Sequence, residues 1–290
     1  MNSLKIAILM ILLMGLLMTV GYYFAGQNGM IMAFVFASLM NFGSYWFSDK
    51  MVLKMYKARE VTEQEHSRLY RIVKNVTTQA MIPMPKVYIV PSKAPNAFAT
   101  GRNLENSAVA ATEGILEILD DRELEGVIGH EIAHIKNRDM LIGTIAATFA
   151  GAIAIIGSIA RWGAIFGGMG GDRDNRGGGL GLLVAAIVAP LSAMIIQMAI
   201  SRSREYKADA EGARITGRYN ELASALEKLH RSPKRRAIHQ NTATAHLMIA
   251  NPLSGKSITS LFSTHPPVEE RIKRLKELSQ DSLYTSYSGI

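Results

Sequence analysis

No cysteine occurs among the 290 residues, which excludes disulfides, thiolate nucleophiles and cysteine-based metal sites. Any metal bound by this chain must be held by imidazole and carboxylate. The glycine-rich stretch 167–181 lacks the Gly-Lys-Ser/Thr ending and the preceding strand of a phosphate-cradling loop, so it reads as a flexible connector. Nucleic-acid-binding motifs are missing as well, although the formal charge is +8. Much of that excess stands beside apolar runs, where the positive-inside rule or anionic lipid accounts for it. A positive mean hydropathy of +0.12 suits one medium domain combined with membrane segments.

Four long apolar runs are present. Leu4 to Ala25 is interrupted only by Lys5, and at about 1.5 Å per residue it is long enough to cross a hydrocarbon core of about 30 Å. A cleaved signal peptide is the competing reading, but Tyr23 stands where a small residue should precede cleavage after Ala25, which favours an uncleaved anchor. After Gly26-Gln27-Asn28-Gly29 comes Met30 to Phe47, ending in the interfacial aromatics Tyr45, Trp46 and Phe47. The two runs are expected to form a transmembrane hairpin. Lys50, Lys54, Lys57 and Arg59 follow it, which places the chain after Asp49 in the cytoplasm. Leu141 to Ala160 and Leu180 to Ile200 are rich in Gly, Ala and Ser, as membrane helices in close contact often are. They read as a second hairpin with cationic cytoplasmic flanks, or alternatively as core helices of a soluble domain.

The most informative residues are His130-Glu131-Ile132-Ala133-His134. Asp120 and Glu123 form a capping-box signature, and Leu124, Ile128, Ile132 and Ile135 recur at helical spacing, so the motif is predicted to lie on a helix. Positions i and i+4 differ by about 40° and stack one turn apart, which lets both imidazoles reach one metal ion. Glu131 can then take a proton from a metal-bound water. Two solvated histidines on a polar helix face are the alternative. A His₂Glu site needs a third ligand from elsewhere in the chain. Glu205 is the candidate, with Asp209 one turn further on; on spacing alone Glu211, Glu221 and Glu227 stay open. His66, His230, His239 and His246 have no partner at metal spacing.

Lys86 to Val90 and Ser107 to Thr112 are rich in strand-forming residues, with Asn96 to Thr100 between them, and suggest a small sheet. Glu221 to His230 and Val268 to Leu278 are patterned as amphipathic helices.

Several motifs together carry a resemblance: Pro95-Asn96-Ala97-Phe98-Ala99, His130 to His134, Ser203-Arg204-Glu205-Tyr206-Lys207-Ala208-Asp209, and Thr264-His265-Pro266-Pro267 leading to Arg271. With the four apolar runs, they resemble the HtpX family of membrane-bound zinc metalloproteases, related to the Ste24-type CAAX proteases. The resemblance covers nearly the whole chain. It implies one zinc ion held by His130, His134 and Glu205, Glu131 as general base, and Asp209 as the orienting partner of a ligand. It also puts His265 near the site as an oxyanion donor, unless it is only a loop residue. Arg271 has the same alternatives, substrate contact or pairing with an acid. A sheet edge beside the metal helix would take substrate as an added strand, with Asn96 and Ala97 as its contacts.

The expected fold is α+β and mostly helical: a zincin-like (gluzincin) metalloprotease domain with two N-terminal transmembrane helices and a further hydrophobic helical hairpin. Its expected parts are residues 1–49, the first hairpin; 50–139, carrying the metal helix; 140–200, the second hairpin; and 201–290, carrying the third ligand. Only six residues separate His134 from Leu141 and four lie between Ile200 and Glu205, so both parts of the site would lie roughly 10 Å from the membrane edge. Polypeptides, above all misfolded membrane proteins, are the expected substrates, and the lipid bilayer is the expected partner. The expected location is the bacterial inner membrane, with the catalytic domain facing the cytoplasm. A CAAX-type processing protease and a non-enzymatic membrane scaffold or channel subunit are the alternatives. Manganese or cobalt in place of zinc also stays open.

Overall fold

The computed structural model describes residues 2–139, 202–232 and 266–287, in two compact units divided between Ser44 and Tyr45. The runs 141–160 and 180–200, and His265, lie outside the described residues.

The first unit contains most of helix α1 (Asn2–Met55), which is broken at Ala25 and Gly26. Gly26 adopts φ 57 and ψ −143, a region open essentially to glycine alone. The chain therefore reverses at Ala25–Gly26, one residue ahead of the expected turn, and is helical again from Gln27. The arms lie close: a side chain on Gly21 would collide with the Gly29 carbonyl and the Ala33 methyl, and one on Gly29 with the Gly21 carbonyl. Such small-residue contacts are how helices approach where lipid supplies no hydrophobic drive. Asn41 Nδ2 donates to the Met10 carbonyl at 3.4 Å, giving this buried amide a partner inside the hairpin. Leu12, Met32, Phe34, Val35, Phe36, Leu39 and Phe42 are exposed. Ala25–Phe47, with mean hydropathy 1.4, is the one described helix long and apolar enough to cross a membrane, while Met10–Tyr22 is a shorter apolar helix.

The second unit is a four-stranded sheet with helices packed on it. Strands β1 (Arg59–Glu60), β2 (Lys86–Val90), β3 (Ala97–Gly101) and β4 (Ser107–Thr112) run in the order β1-β2-β4-β3. The β2–β4 pair is parallel and the other two are antiparallel. β3 is thus an edge, and most of the segment between the two expected strands is itself a strand. β4 reads Ser-Ala-Val-Ala-Ala-Thr and is buried throughout, its small side chains letting helices sit close on the sheet.

Helix α2 (Ser67–Ala80) buries Leu69, Ile72, Val73, Val76 and Ala80, one face at helical spacing. After the short α3 (Glu113–Ile118) comes α4 (Asp121–Asn137), which carries the histidines. The expected capping box is present: the Asp120 carboxylate accepts from the Arg122 and Glu123 amides, and the Asp120 amide donates to Glu123. Helix α4 packs against α2, β3 and α6 (Tyr219–Arg231), burying Leu124, Val127, Ile128, Ile132 and Ile135 in the main core. Each such side chain contributes about 1.5–3 kcal/mol by leaving water, so the core anchors the metal helix firmly. Residues 202–216 form helix α5, and α7 (Val268–Tyr287) packs on α6.

Candidate metal centre

Helices α4 and α5 meet where both lack a side chain. A Cβ on Gly212 would fall 2.6 Å from the Gly129 carbonyl carbon, and one on Gly129 would fall 2.8 Å from the Gly212 oxygen, so only glycine permits the approach. Glu205, Asp209, Gly212 and Thr216 share one face of α5 at i, i+4, i+7 and i+11. The crossing therefore turns Glu205 and Asp209 towards α4.

At that crossing His130, His134 and Glu205, all buried, bring ligand atoms within 4.8 Å of one another. The two Nε2 atoms are 3.1 Å apart. His134 Nε2 lies 3.5 Å from Glu205 Oε1 and His130 Nε2 lies 3.7 Å from Glu205 Oε2. Ligands about 2.0 Å from a tetrahedral ion are separated from each other by roughly 3.3 Å, so these three spacings suit one small cation.

Protonation leads to the same conclusion. His130 Nδ1 is 2.9 Å from Asp209 Oδ1, and His134 Nδ1 is 3.1 Å from Asp139 Oδ2. A neutral ring that donates from Nδ1 offers a bare lone pair at Nε2. In that tautomer both lone pairs converge beside the Glu205 carboxylate. Burial opposes a charge on His134, but the Asp139 and Glu205 carboxylates outweigh it and push its pKa up to about 10. A metal ion bound at this position would have to displace that proton. The charge count agrees: among the described residues, Glu131, Asp139, Glu205 and Asp209 face Arg204 and Arg271 here. The buried carboxylates outnumber the guanidinium groups, an acid surplus that a proton on His134 offsets in part and that a cation held in its place would offset further.

Glu131 projects beside the histidines towards β3, where its Oε2 accepts the Ala99 amide at 2.8 Å. Burial raises its pKa, partly offset by the adjacent imidazoles, which makes this carboxylate a stronger proton acceptor than an exposed glutamate. Arg271, from α7, is fully buried and grips Asp209 through Nε at 2.8 Å and Nη2 at 2.7 Å, with Glu205 3.6 Å away. Burial also disfavours the Asp209 carboxylate, yet the Arg271 charge holds its pKa below the ordinary range. Arg271 thus stands behind the metal position, paired with acids. Asn96 and Ala97 are both buried at the start of β3. The Asn96 amide donates to Thr112 Oγ1 and its carbonyl accepts from the Thr112 amide, each at 2.9 Å. A small cleft, lined by Thr100, Gly101, Asn103, Ser107 and Arg138 among others, opens onto His134.

A sequence model of Peptidase family M48 matches residues 63–279. The chain belongs to peptidase family M48. The relative named Protease HtpX homolog from Desulforapulum autotrophicum is 52% identical over 290 residues, covering 100% of this chain and 94% of that one. The Protease HtpX homolog of Persephonella marina is 54% identical over 285 residues, covering 97% and 98%. The crystal structure of S. mikatae Ste24p shares the fold with a TM-score of 0.56 at 18% identity, covering 90% of this chain and 62% of that one. This chain therefore spans less than two thirds of Ste24p. The resemblance read from the motifs stands, and the M48 chain is a peptidase whose His-His-Glu group is fit to hold a metal ion.

Three features of this M48 site escape a reading of the sequence. Asp139 lies beyond the end of α4 and reaches His134 only because Arg138 takes a left-handed conformation, φ 57. The Ala99 contact is a backbone amide, which no side-chain pattern announces. Gly129 and Gly212 do carry a signal, one glycine in each of two helices, but their pairing is visible only in the fold.

Proposed function

We propose that the chain is a membrane-integrated zinc endopeptidase in which His130, His134 and Glu205 hold one zinc ion and Glu131 is the general base. The observation that carries this reading is the convergence of two Nε2 lone pairs and one carboxylate at separations suited to a tetrahedral ion. Zinc bound there supplies Lewis-acid polarisation of the scissile carbonyl and acidifies a water molecule. Glu131 takes the proton from the attacking water and delivers it to the leaving amine. The Ala99 amide fixes the carboxylate orientation through Oε2 and leaves Oε1 for this transfer. Asp209, secured by Arg271, keeps the His130 proton on Nδ1. His265 is assigned the oxyanion contact by the family resemblance alone.

The gluzincin arrangement proposed here runs substrate along β3. In the β3–β4 register the Thr112 amide donates to the Asn96 carbonyl, and the Ala99 amide donates to Glu131 instead of to β4, so the backbone groups of Ala97 and Ala99 are directed away from β4. That edge, beside the metal helix, suits an extended peptide held through main-chain bonds, with Asn96 and Ala97 at the entry. Recognition of backbone rather than side chains favours unfolded segments. Both arms of α1 are assigned as transmembrane, supported by the exposed apolar surface of the hairpin and its small-residue contact. The cationic residues from Lys50 onward favour a peptidase domain on the cytoplasmic side of a bacterial inner membrane. The short sequence distances from the histidines and Glu205 to the apolar runs favour substrates at the bilayer surface, namely tails and loops of misfolded membrane proteins.

Cleavage of an unfolded protein by the detergent-purified chain tests this reading. Activity should vanish on chelation, return with zinc and stay absent with magnesium; activity that survives complete metal removal would sink it.

A further inference from the structure

Behind each imidazole stands a different acid, and only one of them lies in the Glu205-to-Asp209 spacing of α5. The other is Asp139. Its Oδ2 is 3.1 Å from His134 Nδ1, and it is 5% exposed while His134 is 7% exposed. The chain conformation that brings it there is specific: α4 ends at Asn137, and Arg138 adopts φ 57 and ψ 31 as its C-cap. A non-glycine residue takes that region uncommonly, and here it folds the next residue back over the last turn of the metal helix. Arg204, adjacent to Glu205 in α5, donates from Nη1 to the Asp139 carbonyl oxygen at 3.4 Å. The site thus contains two parallel series, His130 with Asp209 and Arg271, and His134 with Asp139 and Arg204.

We propose that Asp139 is a positioning residue for the metal: it fixes His134 with its proton on Nδ1, so that the Nε2 lone pair faces the position shared with His130 and Glu205. Arg204 holds Asp139 in that place. This rests on the metal-site reading given above. The chemistry is specific in what it requires. An oxygen acceptor at position 139 preserves the tautomer, whereas a methyl group leaves the ring free to turn or to place its proton on Nε2. Loss of a hydrogen bond behind a ligating histidine typically weakens metal binding about 10–100-fold.

The test uses the full-length chain in detergent, stripped of metal and titrated with Zn²⁺ against a chromophoric chelator, with thermal melting recorded in the metal-free state. For Asp139→Ala the zinc dissociation constant should rise about 10–100-fold while the metal-free melting temperature stays at the wild-type value. Asp139→Asn, isosteric and still an acceptor, should recover most of that loss. Wild-type zinc affinity in Asp139→Ala overturns the proposal while leaving the metal site intact. Equal weakening in Asp139→Ala and Asp139→Asn, accompanied by a lower metal-free melting temperature in both, also overturns it, because that pattern belongs to a structural role at the helix end. Wild-type chain that binds no zinc would remove the metal-site reading and this one together.

Discussion

Arg271 and Glu131 are both buried next to the metal position, but they answer to different tests. Arg271 neutralises Asp209 and faces Glu205 without exposure. Removing it leaves the buried Asp209 carboxylate without its guanidinium partner, a change that costs about 3–5 kcal/mol when one partner of a buried pair is deleted. Arg271→Leu should therefore lower the denaturant midpoint steeply and weaken zinc binding; a midpoint within error of wild type would show that the pair is not needed for stability. Glu131 has no comparable structural duty beyond accepting the Ala99 amide, which a glutamine oxygen also accepts. Glu131→Gln should hence fold and bind zinc normally while losing about 10²–10⁴-fold in kcat, the usual contribution of a general base. The sequence made Glu131 legible because its neighbours at i−1 and i+3 are the histidines. Asp139 was not legible, since its approach depends on one backbone dihedral at Arg138.

At the scale of elements, the capping box and the glycine crossing set where the ligands stand. Asp120 holds the first turn of α4, and its pKa is lowered, chiefly by the Glu123 amide it accepts. A depressed carboxyl stabilises the fold above its ordinary value of 3.8 and loses that contribution as pH falls through the folded-state value. Asp120→Ala should cost about 1 kcal/mol at neutral pH, and its stability gap to wild type should close below pH 3.8. A gap that stays constant down to acid pH would contradict the assignment. Gly212 acts differently. In Gly212→Ala the new methyl meets the Gly129 backbone, an overpacking worth about 1–3 kcal/mol. Because the strain is relieved by moving α5 away from α4, zinc affinity should fall together with stability; unchanged affinity would mean that the crossing does not set the ligand distance. Helix α4 and β2 were legible in the sequence because caps, helical periodicity and β-branched runs are local signals, whereas β4 offered only Val109 and Thr112 among small residues. The β3 strand was not, since Ala-Phe-Ala-Thr-Gly has no clear alternation and becomes a strand by pairing with β4. Glu205 was the leading candidate with Glu211, Glu221 and Glu227 still open on spacing; the family motif singled it out, and the fold brings it to the histidines.

Taken as a whole molecule, the chain combines an apolar hairpin with a peptidase unit whose centre holds more buried carboxylates than guanidinium groups. Binding of a divalent cation to the folded state alone raises stability by RT ln(1 + [L]/Kd), about 2.7 kcal/mol at 100 times Kd. Metal removal should accordingly lower the melting temperature of the detergent-solubilised protein, and zinc should restore it; a melting curve indifferent to chelator would contradict the charge count. The central claim is that one metal ion and Glu131 together perform peptide hydrolysis. Its most direct test is zinc content and cleavage of an unfolded protein, measured in parallel for wild type and Glu131→Gln purified with their membrane segments intact. The account predicts one zinc per chain in both and cleavage by the wild type only. Equal cleavage by both, or a wild type that holds no metal, would contradict it.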